Sequence, residues 1–385
     1  MGDGWLLDVS DARDGSGVVL WLKERATGRV EPRRETYRPP FFVHGARIGL
    51  ERVARRFAQD PAVEQIDWRR ARPSLFDARE RRLLAVTVRR NFQRRRVATA
   101  IDAMGEYRAF TLLDVDLSAP QLYHLTHGLY PFAPVTWTEH TLTATEPAET
   151  VDYESPPLRI ARLGVTLSGG ARGGIVPAQA HLTSIRLGDA TLEGEEAALL
   201  TEFHRELTRQ DPDLLLTDGG DAFDLPWIYR RAEANALTER DFYLGREPAA
   251  FRPSRPARSF ETYGQVLHRD ASFPLPGRFH VDEANSFLFD DASVEGLIDA
   301  ARLSRLSLQT VVRQSPGTCF TAMEMAHALA EGVHVPWKKN RPEEFKSART
   351  LLAADRGGVI LLPPVGVHDH VEEFDFASLY PHIMV

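Results

Sequence analysis

Between Leu158 and Leu237 the chain alternates strand-like and helical runs, and this alternation constrains the fold more than any other feature of the sequence. LRIARLGVTL (158–167) and HLTSIRL (181–187) read as strands, and Glu195–Thr208 has helical spacing. DLLLT (213–217) reads as a short buried strand, and PWIYRRAEANAL is helical again. Strands alternating with helices predict a sheet covered by helices, a mixed α/β (α+β) domain. The glycine-rich GGARGG between the first two strands lacks the GK[ST] ending and the spacing of a phosphate-binding P-loop, so it is read as a connection.

At 385 residues the chain exceeds what one compact core organises, and two or three domains are expected. The first, 1–150, is β-rich: WLLDVSD and VVLWLKE read as strands joined by a DGSG turn, and an extended segment ends in RPPFFVHG. Ile48–Ala58 and Arg94–Met104 have helical apolar spacing around a strand at Leu83–Val88. TEPAETVDYESPP (145–157) reads as a linker into the second domain, 151–315. In the third, 316–385, a helical stretch reaches Glu331 and PWKKNRPEEF is a proline-broken loop. GGVILLPPVGVHDHVEEFDFASLYPHIMV then reads as two strands, the second of them buried, so the chain is expected to stop inside a domain.

One cysteine, Cys319, excludes a disulfide framework and a cysteine-rich metal site within this chain. No apolar run approaches the roughly 20 residues that span a bilayer, and the N-terminus lacks a signal-peptide pattern, so a cytoplasmic protein without a membrane partner is expected. The net charge of −7 conceals an asymmetry. Arg69–Arg96 holds eleven arginines against Asp77 and Glu80, a local charge of +9 on a remainder of −16. Such a face suits a phosphate backbone, whose neutralisation releases counterions, or is simply solvated. Arg89, Arg90, Arg94, Arg95 and Arg96 are the candidate DNA contacts.

Asp375 sits among Phe374, Phe376 and Leu379, where a lone carboxylate needs a partner or a metal. Its setting, DFASLYPHIM, resembles the first metal-binding motif of family B DNA polymerases, D-x-x-S-L-Y-P-S-I-I, departing from it at His382 and Met384. The resemblance extends over most of the chain and is nearest to a divergent, mainly archaeal branch. DPDLLLTDGGDAFDLPWIYRRAE is similar to the second proofreading-exonuclease motif, N-x-x-x-F-D-x-P-Y, and GRFHVD with FLFDD to the lead-in of the third, Y-x-x-x-D. SRLSLQTVVRQSPGTCF and VPWKKNRPEEF resemble the connector before the palm, and WLLDVSD…YRPPFF the N-terminal domain.

The resemblance implies an N-terminal domain, an RNase H-like 3′–5′ exonuclease domain and the first strand of a polymerase palm. It implies Asp375 as a catalytic ligand of Mg²⁺. It further implies a metal contact from the Phe376 carbonyl, triphosphate contacts from Ser378, Leu379 and Tyr380, and exclusion of ribose by Tyr380. Primer–template DNA, dNTPs and a C-terminal polymerase half are the implied partners. Proofreading in this family needs four carboxylates around two metals. Gly164 and Thr166 stand where the first motif has its acids, Asp224 remains in the second and Asp291 in the third, with Phe287 in the tyrosine's place. The exonuclease fold is therefore expected without its chemistry, unless a displaced acid such as Asp152 or Glu154 substitutes. The alternative from another class is a non-catalytic DNA-binding or scaffolding module. The family's template-uracil pocket is not carried over, because Asp11 stands where its aromatic is expected.

Overall fold

The computed structural model describes residues 2–169, 179–262, 265–337, 346–354 and 361–384. Residues 1–338 form one compact unit and residues 339–385 a second. The glycine-rich loop beyond Gly169, most of PWKKNRPEEF and the beginning of the GGVILL run lie outside the described residues.

The larger unit holds three main sheets. In the first, Gly2–Asp11 is central, flanked by Val18–Glu24 and then Val30–Glu35 on one side and by Ala133–Trp137 and Leu142–Ala144 on the other, all antiparallel. Both faces of Gly2–Asp11 are apolar, and a register shift between Leu6 and Asp8 brings Leu6 and Val9 to the same face. Trp5 and Leu7 enter one core, while Leu6 and Val9 enter another with Leu20, Tyr123 and Tyr130. The second sheet runs Val63–Ala71, Arg81–Val88, Phe41–Gly45, Phe110–Leu113. It buries Phe41, Val43, Leu84 and Val86 against the apolar stripes of the helices Arg47–Phe57 and Arg94–Met104.

The third sheet is the one predicted from the alternation. Its order is Ala190–Glu193, Leu182–Leu187, Ile160–Leu167, Leu214–Thr217, Phe279–Asp282. The first three strands are antiparallel and the last three parallel, which gives the mixed sheet of an RNase H-like domain. On one face Leu163, Ile185 and Leu215 share a core with the helices Glu196–Gln210 and Leu225–Ala234. On the opposite face Leu214, Leu216, Phe279 and Val281 meet Leu297, Ile298 and Ala301 of the helix Phe289–Ser304, together with Trp5, Leu7 and Trp21 of the first sheet. The first and third sheets therefore share one apolar core.

A buried ion-pair cluster joins the same two sheets. Lys23 Nζ lies 2.7 Å from Asp213 Oδ2, and both residues are fully enclosed. Arg246 donates to the other oxygen of Asp213 at 2.8 Å, and the Arg159 backbone N–H donates to Oδ2 at 2.8 Å. Asp211 accepts from Arg159, Arg246 and Arg278. Asp213 directly precedes the strand Leu214–Thr217, so the cluster fixes where that strand enters the sheet.

Residues 361–384 differ from the expectation. The expected buried strand around Asp375 is absent among the described residues: 361–376 form no strand, and Leu379–Met384 is a short helix. Phe374, Phe376 and Ile383 are exposed. The physical reason is the missing ladder, because a strand needs a partner for its N–H and C=O groups and none of the described residues here supplies one.

Removing one partner of a buried ion pair leaves the other charge stranded, which costs about 3–5 kcal/mol. Lys23→Met should therefore lower the unfolding free energy by about 3 kcal/mol in urea denaturation. Arg13→Ala, which removes an exposed pair with Glu239, should leave it nearly unchanged. Similar small effects from both variants would show that the cluster does not anchor the two sheets.

Candidate functional site

The strand Ile160–Leu167 places Gly164 and Thr166 on one side of the third sheet, two residues apart. Asp224 begins the helix Leu225–Ala234 after the π-helical turn Gly220–Asp224. Its buried carboxylate returns to the first strand, accepting from the Val165 N–H at 3.2 Å. The structure thus brings Gly164, Thr166 and Asp224 together. Asp291 lies exposed in the first turn of Phe289–Ser304, which breaks at Ser293 (φ 54°). Phe287 is also exposed, with the Arg269 guanidinium 4.6 Å from its ring centre.

The electrostatics of this face are not those of a divalent-metal cage. Gly164 pairs in register with Arg186, and a Cβ added at Gly164 would meet only the Arg186 Nη2, 3.8 Å away. Arg162, two residues earlier on the same strand, forms a bidentate pair with Glu283 at 2.8 and 3.0 Å. Among the described residues no three His, Cys, Asp or Glu side chains group so as to hold a metal. Gly164 and Thr166 offer no carboxylate and cations stand beside them, so the residues present do not fit a two-metal site.

The acids that the site retains hold its loop. Asp282 accepts from the N–H groups of Gly219 and Asp221 at 2.7 and 2.8 Å. Burial raises the Asp282 pKa, against the opposing effect of those donors. Asp221 is enclosed with Arg313, whose guanidinium reaches both carboxylate oxygens at 2.8 and 3.1 Å. Asn285 and the Phe273 N–H complete its partners. Burial acts to raise the Asp221 pKa, but Arg313, His280 and Asn285 outweigh it and hold the carboxyl below its usual range. His280 is pushed down to about 4 by burial and by Arg313, whose Nη2 lies 2.8 Å from its Nδ1. Sequence reasoning missed Asp221, Asp282 and Arg313. Asp221 and Asp282 lie inside the quoted GGDAFD and GRFHVD motifs, but the arginine that pairs Asp221 is 92 residues away.

The arginine candidates separate. Arg89 and Arg95 are exposed, Arg90 pairs with Asp14 at 2.9 Å and Arg96 with Asp60 at 3.4 Å. Arg94 does not join them on the surface. It is buried, donates to the Pro40 carbonyl at 2.6 Å, and burial lowers its pKa to about 10. At the palm-like motif, Phe376 donates its N–H to Asp375 Oδ1 at 2.8 Å, Ser378 has φ 53°, and its carbonyl accepts from the His382 N–H. Phe376, Leu379 and Tyr380 are exposed.

The architecture is a β-rich domain joined through a shared core to a mixed five-stranded sheet. Among solved structures the chain is similar to the family B DNA polymerase from the hyperthermophilic archaeon Pyrobaculum calidifontis, with a TM-score of 0.64 and 16% identity over 89% of this chain and 52% of that one. That likeness shows the fold. In sequence the chain is similar to DNA polymerase 2 of Saccharolobus solfataricus, 29% identical over 93 residues, which is 24% of this chain and 15% of that protein. It is 25% identical over 233 residues to a DNA polymerase of Pyrococcus glycovorans (49% of this chain, 30% of that protein). To a DNA polymerase of Archaeoglobus fulgidus it is 23% identical over 235 residues (50% and 28%). No family model matches the chain. The chain is thus similar to archaeal DNA polymerases, and it spans about half the length of the matched structure and at most 30% of these three sequences. Among the described residues no helix is long and apolar enough to cross a membrane.

The buried titratable groups give a pH dependence with a definite sign. His124 and His280 are both lowered to about 4 by burial, while burial raises Asp8 to about 7 against its bond from Ser307. Between about pH 4 and 6.5 the unfolded chain protonates both histidines and ionises Asp8, so unfolding takes up about one proton net. Stability should therefore rise with pH across this window, by about 1.4 kcal/mol per unit. Asp8→Asn should roughly double the slope and His280→Gln should flatten it, as measured by chemical denaturation at a series of pH values. An Asp8→Asn slope equal to or below that of the wild type would contradict these assignments.

Proposed function

We propose that this chain is the N-terminal part of a DNA-directed DNA polymerase of family B. It would act in template-directed nucleotidyl transfer once a C-terminal half supplies the remaining metal ligands, and it would not be competent alone. The observation that carries this reading is the fold likeness over 89% of this chain but 52% of the relative, joined to sequence likeness over about half the chain. Primer–template DNA and dNTPs are the substrates in this reading, and Mg²⁺ is the cofactor.

In this reading Asp375 would give one carboxylate to a metal site completed by the C-terminal half, and Mg²⁺ bound there would supply charge stabilisation for phosphoryl transfer. The Phe376 carbonyl and the Ser378–Tyr380 backbone serve the metal and triphosphate, and Tyr380 excludes ribose. The exonuclease-like domain supports DNA without cleaving it, because Gly164 and Thr166 provide no carboxylate and Asp224 is turned to the Val165 N–H. The exposed Arg89 and Arg95, with the weakly paired Arg90 and Arg96, supply phosphate contacts. The lost exonuclease cage and the single acid of the palm-like motif favour one second reading, a DNA-binding scaffold in a replication or repair complex.

Primer extension by this chain mixed with a C-terminal half separates the two readings. The wild-type chain should extend the primer, and Asp375→Ala should abolish extension while leaving DNA affinity within about twofold, because it removes a metal ligand and no phosphate contact. Equal extension by both chains would remove Asp375 from the mechanism, and extension by neither would favour the scaffold.

A further inference from the structure

The antiparallel strands Val63–Ala71 and Arg81–Val88 pair Arg69 with Leu83, Arg70 with Arg82 and Ala71 with Arg81, and the turn 72–80 joins them. Residues 67–82 hold six arginines against Asp67, Asp77 and Glu80. Arg69, Arg70, Arg79, Arg81 and Arg82 are exposed. Their intramolecular pairs, Arg69–Asp67 at 3.7 Å, Arg70–Glu80 at 3.4 Å and Arg81–Asp77 at 3.0 Å, lie at the surface and are therefore weak and screened by salt.

At the tip, Leu75 and Phe76 project into solvent, Phe76 being 98% exposed. The turn that carries them is held by its own bonds. Asp77 N–H donates to the Ser74 carbonyl at 3.1 Å, Phe76 N–H to Ser74 Oγ at 3.2 Å, and Arg72 Nε to the Asp77 carbonyl at 3.1 Å. The His334 N–H ties the Arg72 carbonyl to the body of the unit at 2.9 Å. Below the tip, the Arg82 guanidinium lies 4.2 Å over the Trp68 ring.

An aromatic ring on a turn ordered in advance, flanked by arginines, can stack an unpaired base while the cations follow the backbone. Because the turn is already fixed, little ordering entropy is lost on binding. A duplex keeps its bases stacked on one another and offers Phe76 no free face. We propose that the Val63–Val88 hairpin is a binding site for single-stranded nucleic acid, with a base on Phe76 and phosphates on Arg79, Arg81 and Arg82. This site lies outside the Arg89–Arg96 surface and stands whether or not nucleotide addition does.

The test is fluorescence anisotropy of a labelled oligothymidylate titrated with the full chain. Phe76→Ala should weaken binding about tenfold without changing the salt slope, and Phe76→Trp should retain it, because stacking and not charge is altered. Arg79→Ala with Arg82→Ala should reduce the salt slope by about 1.4, roughly 0.7 for each lost phosphate contact to a single strand. Phe76 is too exposed for its replacement to threaten folding. Wild-type affinity in Phe76→Ala would overturn the proposal. So would a dimer of the wild-type chain that dissolves in Phe76→Ala, since the tip would then be a contact between copies.

Discussion

The architecture depends on the charge cluster that precedes the strand Leu214–Thr217 of the third sheet. Lys23, Arg159 and Arg246 converge on Asp213, and Arg159, Arg246 and Arg278 on Asp211. A buried ion pair gives little net stability over an apolar substitute, but it penalises any arrangement that separates its members. Here the members come from the first sheet, the first strand of the third sheet, and the segments at 246 and 278. Their joint satisfaction permits one placement of the Leu214–Thr217 strand, and the apolar contact of Trp5, Leu7 and Trp21 with Leu214 and Leu216 follows from it. Position comes from charge, and the larger share of stabilisation from apolar burial.

The same division of labour governs the site. Asp282 caps the loop Gly219–Asp221, Asp221 holds Arg313, and Asp224 holds the first strand. Asp221, Asp224 and Asp282 thus serve the geometry of the scaffold, while Asp291 lies exposed. Gly164 and Thr166, on the neighbouring strand, offer no carboxylate, and Arg186 and Arg162 stand nearby. Within the chain, internal donors and cations balance the charges of Asp221 and Asp282 and hold the loop.

Much of the fold was legible in the sequence because burial imposes a period. The strands around Trp5, Val19, Ile160 and Leu214 and the helix Arg94–Met104 all follow from apolar spacing. The strand Val63–Ala71 was not legible, since VEQIDWRRA is an edge strand with little apolar alternation. DFASLYPHIM carries apolar residues that suit a strand, yet without a pairing partner its last residues close local helical bonds. Arg94 looked like its neighbours in the sequence, but it falls on the buried side of the helix, beside Val97 and Ala98. The Asp221–Arg313 pair spans 92 residues, and no local pattern announces such a partner.

The central proposal is that the third sheet, with Gly164 and Thr166 on its first strand in the chain, does not hold a divalent metal. Mn²⁺ binding followed by electron paramagnetic resonance tests it most directly, comparing the wild-type chain with Gly164→Asp/Thr166→Glu. Space permits the change, since a Cβ at Gly164 meets only Arg186 at an ordinary 3.8 Å and Thr166 is exposed. The account predicts no specific Mn²⁺ in the wild-type sheet, and a bound ion in the double variant that is lost again when Asp224→Ala is added. Mn²⁺ bound by the wild-type chain and released by Asp224→Ala alone would contradict it.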